Sequence, residues 1–383
     1  MAARGIELSR AFYHSVVESL LRELAPGLHH SAAMIGPGSE VLGYDDAMST
    51  DHHWGPRVLI FCDDESAAAD GPALASALAH RLPPTFRGLP TNFTVPDAAD
   101  NGTQLLEPIE SGPVNHRVEI VGLDRWFGEY LGLPVGEHRT DRPSLDEIDW
   151  LTLPQQKLLT IAAGEVFRDD RGRLESVRSR LAWYPEEVWR YLLASAWARI
   201  GQEEHLVGRA GWRGDEIGAR LIAARLVRDA MRLCFLMERR YAPYAKWFGT
   251  AFRELASGPA MEPRLRTVTD AADWRARDRA LVRVYDELAA MHNRLGITRR
   301  MPDRSVDFFG RPFHAIAIHG FAGAILDTIH GSWLSPTMRR SPIGGIDNIS
   351  DNTDLLEDPA YRNGLRVLLT VPGLRAPGAS SDD

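Results

Sequence analysis

The sequence has little cysteine, little lysine and no long apolar run. Two cysteines, Cys62 and Cys234, occur among 383 residues. Both lie in apolar stretches, which indicates small buried side chains and is typical of a reducing compartment. No segment reaches the roughly 18 apolar residues of a membrane-spanning helix. Residues 1–24 also lack the apolar core of a signal peptide. We therefore expect a cytoplasmic protein that does not contact a membrane.

The charge balance restricts the kinds of partner. The net charge is −8 and the pI is about 5.9, which argues against a protein that coats nucleic acid through bulk positive charge and leaves a local basic patch open. No platform of interleaved basic and aromatic residues is apparent, so a nucleic-acid-modifying enzyme is disfavoured. Hydrophobic residues make up 44% and charged residues 25% of the chain, as in ordinary globular proteins.

The pattern along the chain predicts an α+β protein with two domains. Residues 1–145 contain three strand-like runs, the second at 57–61 and the third at 117–121. Helical periodicity then dominates residues 146–375, and residues 376–383 are expected to be a disordered tail. Within the second part, the predicted helices cover 184–207, 213–240, 242–256, 271–294 and 312–330. We expect a mixed sheet flanked by helices, followed by an all-α helical bundle.

The segment "GSEVLGYDDAMSTDHHWGPRVLIF" holds the residues with the clearest chemistry. Gly38-Ser39 forms a small flexible turn whose backbone and hydroxyl can approach a phosphate. Asp51 and His53 precede a buried strand at a spacing of two residues, which places both side chains on one side of an extended chain. Glu119 in the third strand could add a further carboxylate. Oxygen ligands of this kind are those that Mg²⁺ prefers.

This arrangement resembles the nucleotidyltransferase superfamily, whose pattern is a Gly-Ser turn, an Asp-x-Asp pair and a third acid on a later strand. "GSEVLGYDDAMSTDHHWGPR" is similar to a family of uncharacterised bacterial proteins with a nucleotidyltransferase-like domain followed by helices. The segments "YPEEVWRYLLASAW", "QEEHLVGRAG" and "YAPYAKWFG" are similar to helical regions that accompany this domain, including those of some aminoglycoside-adenylylating enzymes.

The resemblance implies a metal-dependent enzyme. It would transfer a nucleoside monophosphate, AMP from ATP, to a hydroxyl of a small acceptor at an interdomain cleft. Asp51 and Glu119 would be catalytic and, with His53, would hold Mg²⁺ or Mn²⁺. The candidate nucleotide-binding residues form a separate set: Gly38, Ser39, Ser49 and Lys246. Lys246 draws attention because the chain has very few lysines.

His53 departs from the superfamily pattern, which has a carboxylate there. Imidazole binds Mg²⁺ poorly and transition metals well, so three readings stay open. The site uses a softer ion such as Mn²⁺. It takes a carboxylate from Asp45, Asp46 or Asp63. Or the protein binds a nucleotide or partner as a sensor without turnover.

Several candidates also have an ordinary structural reading. Glu119 could be a strand residue paired with Arg117, and Lys246 a solvated helix lysine. Four acids of the helical part could supply a general base for an acceptor hydroxyl, but each could equally be a surface carboxylate. They are Glu203, Glu204, Asp215 and Glu216.

Overall fold

The computed structural model describes residues 5–100, 102–133 and 145–370. The side chain of Asp51 and the expected disordered tail at 376–383 lie outside this description. The chain forms two compact units, one of residues 1–144 and 157–182 and the other of residues 145–156 and 183–383. The expected boundary at 145/146 had assigned residues 157–182 to the helical part, whereas the structure includes them in the first unit.

Helices and strands alternate in the first half of the chain. In order they are α1 (Gly5–Phe12), α2 (Glu18–Leu24), β1 (Ser31–Met34), β2 (Arg57–Cys62), α3 (Asp64–Arg81), β3 (Thr85–Phe86), β4 (Leu89–Pro90), β5 (Arg117–Gly122), α4 (Leu123–Leu131), α5 (Glu147–Thr152), α6 (Gln155–Ala162), β6 (Glu165–Asp169) and α7 (Arg173–Leu181). One π-helical turn, Tyr13–Val17, connects α1 to α2. A 3₁₀ turn, Ser49–Asp51, precedes β2.

Helices dominate the second half. In order the elements are α8 (Glu186–Glu203), α9 (Leu206–Trp212), α10 (Glu216–Met237), α11 (Ala245–Arg253), α12 (Gly258–Asp270), α13 (Trp274–Leu295), β7 (Val306–Asp307), β8 (His314–Ala315), α14 (Phe321–Leu326), α15 (Pro336–Arg340), α16 (Ile346–Ile349), α17 (Thr353–Glu357) and α18 (Tyr361–Thr370). None of the helices in the described ranges is long and apolar enough to cross a bilayer.

The first unit contains a four-stranded mixed sheet in the order β5-β2-β1-β6. β1 runs antiparallel to both neighbours, and β2 and β5 are parallel. Arg57 therefore pairs in register with Arg117, and Leu59 with Glu119. The expected strands at 57–61 and 117–121 are confirmed, and both begin at the same edge of the sheet.

One face of the sheet is packed against the N-terminal helices and α3. Val58, Ile60 and Val118 share a core with Leu78 of α3 and Phe12 of α1, and all five side chains are at most 2% exposed. Fully burying one such side chain contributes about 1.5–3 kcal/mol, so this face fixes the sheet. On the opposite face of β2, Arg57 and Leu59 are partly exposed, whereas Phe61 is buried.

The helices of the second unit begin at identifiable caps. Asp215 accepts a hydrogen bond from the Gly218 amide at the start of α10, and Asp273 caps α13 in the same way through Ala276. Such caps stabilise a helix by about 1 kcal/mol because they satisfy otherwise unpaired amides. α10 lies within the predicted helix 213–240 and buries apolar side chains that include Leu226, Ala230 and Leu233.

The predicted helix over 312–330 is wrong. The chain there forms the short strand β8, a 3₁₀ turn at Ala317–His319 and then α14. Gly320 adopts a positive φ of 82°, which a continuous right-handed helix does not allow. Apart from this segment, the expected fold class is confirmed, with a mixed sheet flanked by helices and a helical second half.

Candidate functional site

The face of the sheet opposite α3 carries the residues singled out in the sequence. Arg57 and Leu59 project from β2 on the same side as Arg117 and Glu119 of β5, because alternate residues of a strand share a face and the two strands pair in register. Neighbouring strands lie about 4.8 Å apart. The two arginines therefore start adjacent parallel strands side by side, and we call this region the arginine edge.

Arg57 is held by a buried carboxylate. Its Nη2 lies 2.7 Å from Oε1 of Glu40 and its Nε donates to the same oxygen at 3.0 Å. Glu40 is 3% exposed, so this pair is shielded from water. Nη2 of Arg57 also donates to the carbonyl of Pro37. The ion pair thus fixes the loop that follows β1.

Gly38 lies against this ion pair. Its φ is +141°, and a Cβ built on it would overlap the guanidinium of Arg57 and the carboxylate of Glu40. Glycine is required here both by the backbone conformation and by the close approach of the two charged groups. The predicted Gly-Ser turn is therefore wrapped around Arg57.

Ser39, the next residue, has hydrogen-bond donors that lack an acceptor in the described ranges. Its carbonyl accepts from the amides of Leu42 and Tyr44. Over the described ranges, the amides of Gly38 and Ser39 and the Ser39 hydroxyl donate no hydrogen bond. Unpaired amides beside a guanidinium form an environment suited to an anion.

His53 and Glu119 come together through Arg117. Nη1 of Arg117 donates to Nδ1 of His53, and Nη2 donates to Oε1 of Glu119 at 2.9 Å. A guanidinium can only donate, so Nδ1 of His53 is the acceptor and its proton resides on Nε2. Glu119 is therefore paired with Arg117, which was the structural alternative considered from the sequence.

The imidazole of His53 is held in an unusual backbone conformation. Its φ is +52°, and its amide donates to the carbonyl of Gln104 at 2.9 Å. Burial lowers the pKa of His53, and the nearby charges of Arg117 and Arg57 lower it further. The ring is therefore a neutral acceptor for Arg117 at neutral pH.

Two of the predicted metal ligands contact Arg117. Its guanidinium bonds to Nδ1 of His53 and Oε1 of Glu119, and the side chain of Asp51 lies outside the described residues, so the expected metal site stays a prediction. Over the described residues, no three His, Cys, Asp or Glu side chains gather in a way that could hold a metal. Asp51 ends the 3₁₀ turn before His53.

Asp45 lies in the loop between β1 and β2 and accepts two hydrogen bonds. It accepts hydrogen bonds from the amide of Gly5 at 2.7 Å and from Nε1 of Trp54 at 3.1 Å. The carboxylate thereby connects the start of α1 to Trp54-Gly55-Pro56, which we call the Trp-Gly-Pro segment. Asp45 therefore has a structural function in this loop.

Asp46 and Ser49 close a turn on each other. The amide of Asp46 donates to the Ser49 hydroxyl at 3.1 Å, and that hydroxyl donates to Oδ1 of Asp46 at 3.3 Å. Ser49 is 5% exposed. Its hydroxyl is therefore occupied inside the turn.

Asp63 is paired at the other end of β2. Its two carboxylate oxygens lie 3.1 Å from Nη1 of Arg171 and 2.7 Å from Nη1 of Arg173. β2 has six residues, so Asp63 follows the end of the strand opposite to the one at which Arg57 lies. Each of the three alternative carboxylates thus has a structural partner, and Oδ1 of Asp45 is buried without one in the described chain.

Lys246 belongs to the second unit. It lies in the first turn of α11 and is exposed, with its ammonium 4.9 Å from the ring centroid of Trp247. Its proposed contact with nucleotide phosphates stays a prediction.

Three of the four candidate general bases have structural partners. Asp215 caps α10, Glu216 pairs with Arg277 at 3.2 Å, and Glu203 pairs with Arg225 at 2.7 Å. These contacts give each of the three acids a structural role, so no catalytic role is needed to account for them.

Glu204 differs from the other three. It is 3% exposed, and burial raises its pKa to about 7, an effect that hydrogen bonds from the backbone partly offset. In a buried position a carboxylate normally has a cationic partner, and no ion pair to Glu204 is formed within the described chain.

Sequence reasoning missed the two arginines as the centre of this site. The available signal was their position, since Arg57 begins β2 directly after Trp-Gly-Pro and Arg117 begins β5 two residues before Glu119. Arginine at the start of a buried strand needs a partner, and the partners, Glu40 and His53, lie in the loop that the sequence had assigned to phosphate and metal.

Comparisons with known proteins give limited similarity. A family model described as a domain of unknown function (DUF4037) matches residues 150–248. Among solved structures, a nucleotidyltransferase-like protein from Exiguobacterium sibiricum is similar with a TM-score of 0.32 and 11% identity, over 79% of this chain and 82% of that one. The expected resemblance is thus found at a distant level, and we base no argument on it. A search of curated proteins gives no match.

Proposed function

We propose that the first unit binds the phosphate chain of a nucleotide at the arginine edge. The observation that carries this proposal is Arg117, whose Nε is buried and has no hydrogen-bond partner in the described chain. A buried unpaired donor is costly and rare in folded proteins. A phosphate oxygen would satisfy it.

The guanidinium of Arg117 bonds to His53, to Oε1 of Gln104 at 3.3 Å and to Glu119, and the last of these partners can be displaced. Glu119 is 44% exposed, and exposed ion pairs contribute only about 0–1 kcal/mol. Guanidinium–phosphate contacts are commonly bidentate and stronger than neutral hydrogen bonds. An arriving phosphate would therefore replace Glu119 at small cost, and the unpaired amides of Gly38 and Ser39 would add donors.

A nucleotide, rather than a simple phosphate, is the ligand that the sequence resemblance implies. Binding would need no metal ion assembled by the protein, because positive charge is already supplied by Arg117. This is the sensor-like reading of the sequence, in which the nucleotide is bound by charge and backbone donors.

Titration with ATP in EDTA tests the proposal. Wild type, Arg117→Ala and the control Arg125→Ala would be compared by calorimetry, since Arg125 is an exposed arginine paired with Glu129 on α4. We expect Arg117→Ala to lose about tenfold or more in affinity, as for a charge-assisted contact, and Arg125→Ala to match wild type. Equal ATP affinity in all three proteins would overturn the proposal. Tripolyphosphate and adenosine titrations separate phosphate from base recognition.

Nucleotidyl transfer is a second candidate, favoured by the exposure of Glu119 beside Arg117. In that reaction an acceptor oxygen bonds to the α-phosphorus of ATP, the bond to pyrophosphate breaks, and the hydroxyl proton passes to a base. No step is assigned to a metal, since Nδ1 of His53 and Oε1 of Glu119 bond to Arg117. Phosphorus NMR of ATP with hydroxylated acceptors tests this candidate, because only turnover releases pyrophosphate. No release with any acceptor would leave binding alone as the function.

A further inference from the structure

The second unit contains a cavity that none of the preceding contacts explains. Its volume is about 210 Å³. α8 contributes Trp197, Gly201 and Glu204 to its lining, Phe308 lies on it from the β7–β8 connection, and Ala322 lies on it from α14. Pockets for drug-sized ligands measure roughly 300–1,000 Å³, so this cavity suits a smaller molecule.

Glu204 supplies the charge in this cavity. Its Oε2 accepts hydrogen bonds from the amides of Ile316 at 2.8 Å and Ala317 at 3.2 Å. No arginine, lysine or histidine of the described ranges forms an ion pair with it, whereas the preceding Glu203 pairs with an arginine. A buried carboxylate without a cation is unfavourable. Two amide donors compensate only part of that cost.

Trp197 supplies an unused donor and an aromatic wall. Its side chain is completely buried, it lines the same cavity, and its indole Nε1 has no partner among the described residues. Its ring stacks on Phe321 at 4.2 Å between centroids. The cavity therefore combines a rigid aromatic surface with an unpaired donor and an uncompensated acceptor.

The connection that carries Phe308 is held firmly. His314 of β8 bonds to Asp278 of α13 through both its amide, at 3.0 Å, and its Nδ1, at 2.6 Å. Phe309 and Gly310 at the tip have φ values of +50° and +72°. A bulky residue with positive φ stores strain that the surroundings must support, a feature that is concentrated at binding sites.

We propose that this cavity binds a fragment-sized molecule carrying a protonated amine on an aromatic or alicyclic body. The ammonium group would supply the counter-charge that Glu204 lacks, and the apolar body would lie against Trp197 and Phe308. An ammonium near aromatic faces gains a further favourable electrostatic contact. An anionic ligand is excluded by the same carboxylate.

Ligand-detected NMR with benzylamine tests the inference, with benzyl alcohol and benzoate as the neutral and anionic analogues. Glu204→Gln keeps an acceptor for the two backbone amides but removes the charge. Glu262→Gln removes a partly exposed carboxylate of α12 that pairs with Arg266 and is the matched control. Ala322→Leu narrows the cavity without changing its charge.

We expect wild type to bind benzylamine more tightly than benzyl alcohol and to give no signal with benzoate. Glu204→Gln should weaken benzylamine binding by about tenfold or more, as for loss of a desolvated charge pair, while Glu262→Gln matches wild type. Ala322→Leu should weaken both benzylamine and benzyl alcohol. Benzylamine that does not bind, or whose affinity is the same in Glu204→Gln as in wild type, would overturn the inference.

Discussion

Arg117 donates a hydrogen bond to Nδ1 of His53, so the residue that departs from the superfamily pattern is the partner of an arginine. The same guanidinium bonds to Glu119. A carboxylate at position 53 would place two acids around one arginine and give a net negative group, whereas a neutral imidazole leaves Arg117 and Glu119 as a neutral pair. The departure at His53 thus favours an anion at this position over a metal ion.

The protonation of His53 follows from this contact. Burial, Arg117 and Arg57 lower its pKa, so we expect its imidazole to titrate below the ordinary value of 6.5. Because the folded state binds the proton less readily than the unfolded state, this contribution to stability is present above pH 6.5 and is lost as the pH falls below it. An NMR titration of the histidine resonances measures the pKa of His53, and the variant His53→Asn identifies which resonance belongs to it. A His53 resonance that titrates above 6.5 would refute the assignment.

The Trp-Gly-Pro segment should be sensitive to a single methyl group. Gly55 has a φ of +152°, and a Cβ there would lie 2.8 Å from Cδ2 of Leu106 and 2.9 Å from Cζ of Phe93. We expect Gly55→Ala to lower the free energy of unfolding by about 1–3 kcal/mol. Gly43, with positive φ but no neighbour within 4 Å, is the control, and Gly43→Ala should cost only the backbone strain of about 1–2 kcal/mol. Urea unfolding compares them, and a larger loss for Gly43→Ala would contradict the packing.

Replacement of Ser39 and of Ser49 by alanine should have different effects on ATP binding. Ser39 follows Gly38, which lies against Arg57, and its hydroxyl donates no hydrogen bond within the described ranges, whereas the Ser49 hydroxyl is bonded to Asp46. We expect Ser39→Ala to weaken ATP binding by about two- to tenfold, the value of one hydrogen bond, and Ser49→Ala to leave it unchanged. Calorimetric titration of the two variants distinguishes them. A loss confined to Ser49→Ala would place the phosphates elsewhere on the loop.

Glu204 should make the stability of the protein fall as the pH rises. Its pKa is about 7 in the folded state against an ordinary value of 4.5, so the folded state binds more protons between these values. The free energy of unfolding then decreases from about pH 4.5 to 7 by up to roughly 3 kcal/mol. Glu204→Gln lacks this term, and its stability relative to wild type should rise from pH 5 to pH 8 in urea unfolding. A difference that stays constant with pH would show that Glu204 is ionised throughout.

Local patterns were sufficient to predict three of the four strands of the sheet and the helices α8, α10, α11 and α13. The apolar run before Cys62 and the run around Val118 predicted β2 and β5. β6 was not predicted because Glu165–Asp169 is short, mostly polar and partly exposed. Its pairing with β1 depends on a contact between distant parts of the chain.

The candidate site was predicted in part. The sequence brought attention to Gly38, His53 and Glu119, and the structure places His53 and Glu119 on one arginine. That arginine could not be identified from spacing, because its contact to His53 requires the positive φ of His53 and the position of Gln104, both of which are set by the tertiary fold. Among the four acids named from the sequence, Glu204 could be distinguished only after the amides of Ile316 and Ala317 were located against it.

Exchange of His53 for aspartate tests the central claim most directly. ATP would be titrated into wild type and His53→Asp, each in EDTA and in Mg²⁺. Because Arg117 supplies the charge in wild type, we predict equal affinity for ATP with and without Mg²⁺. In His53→Asp the added carboxylate should neutralise Arg117 and make binding stronger in Mg²⁺ than in EDTA. Wild-type binding that requires Mg²⁺ would contradict the account.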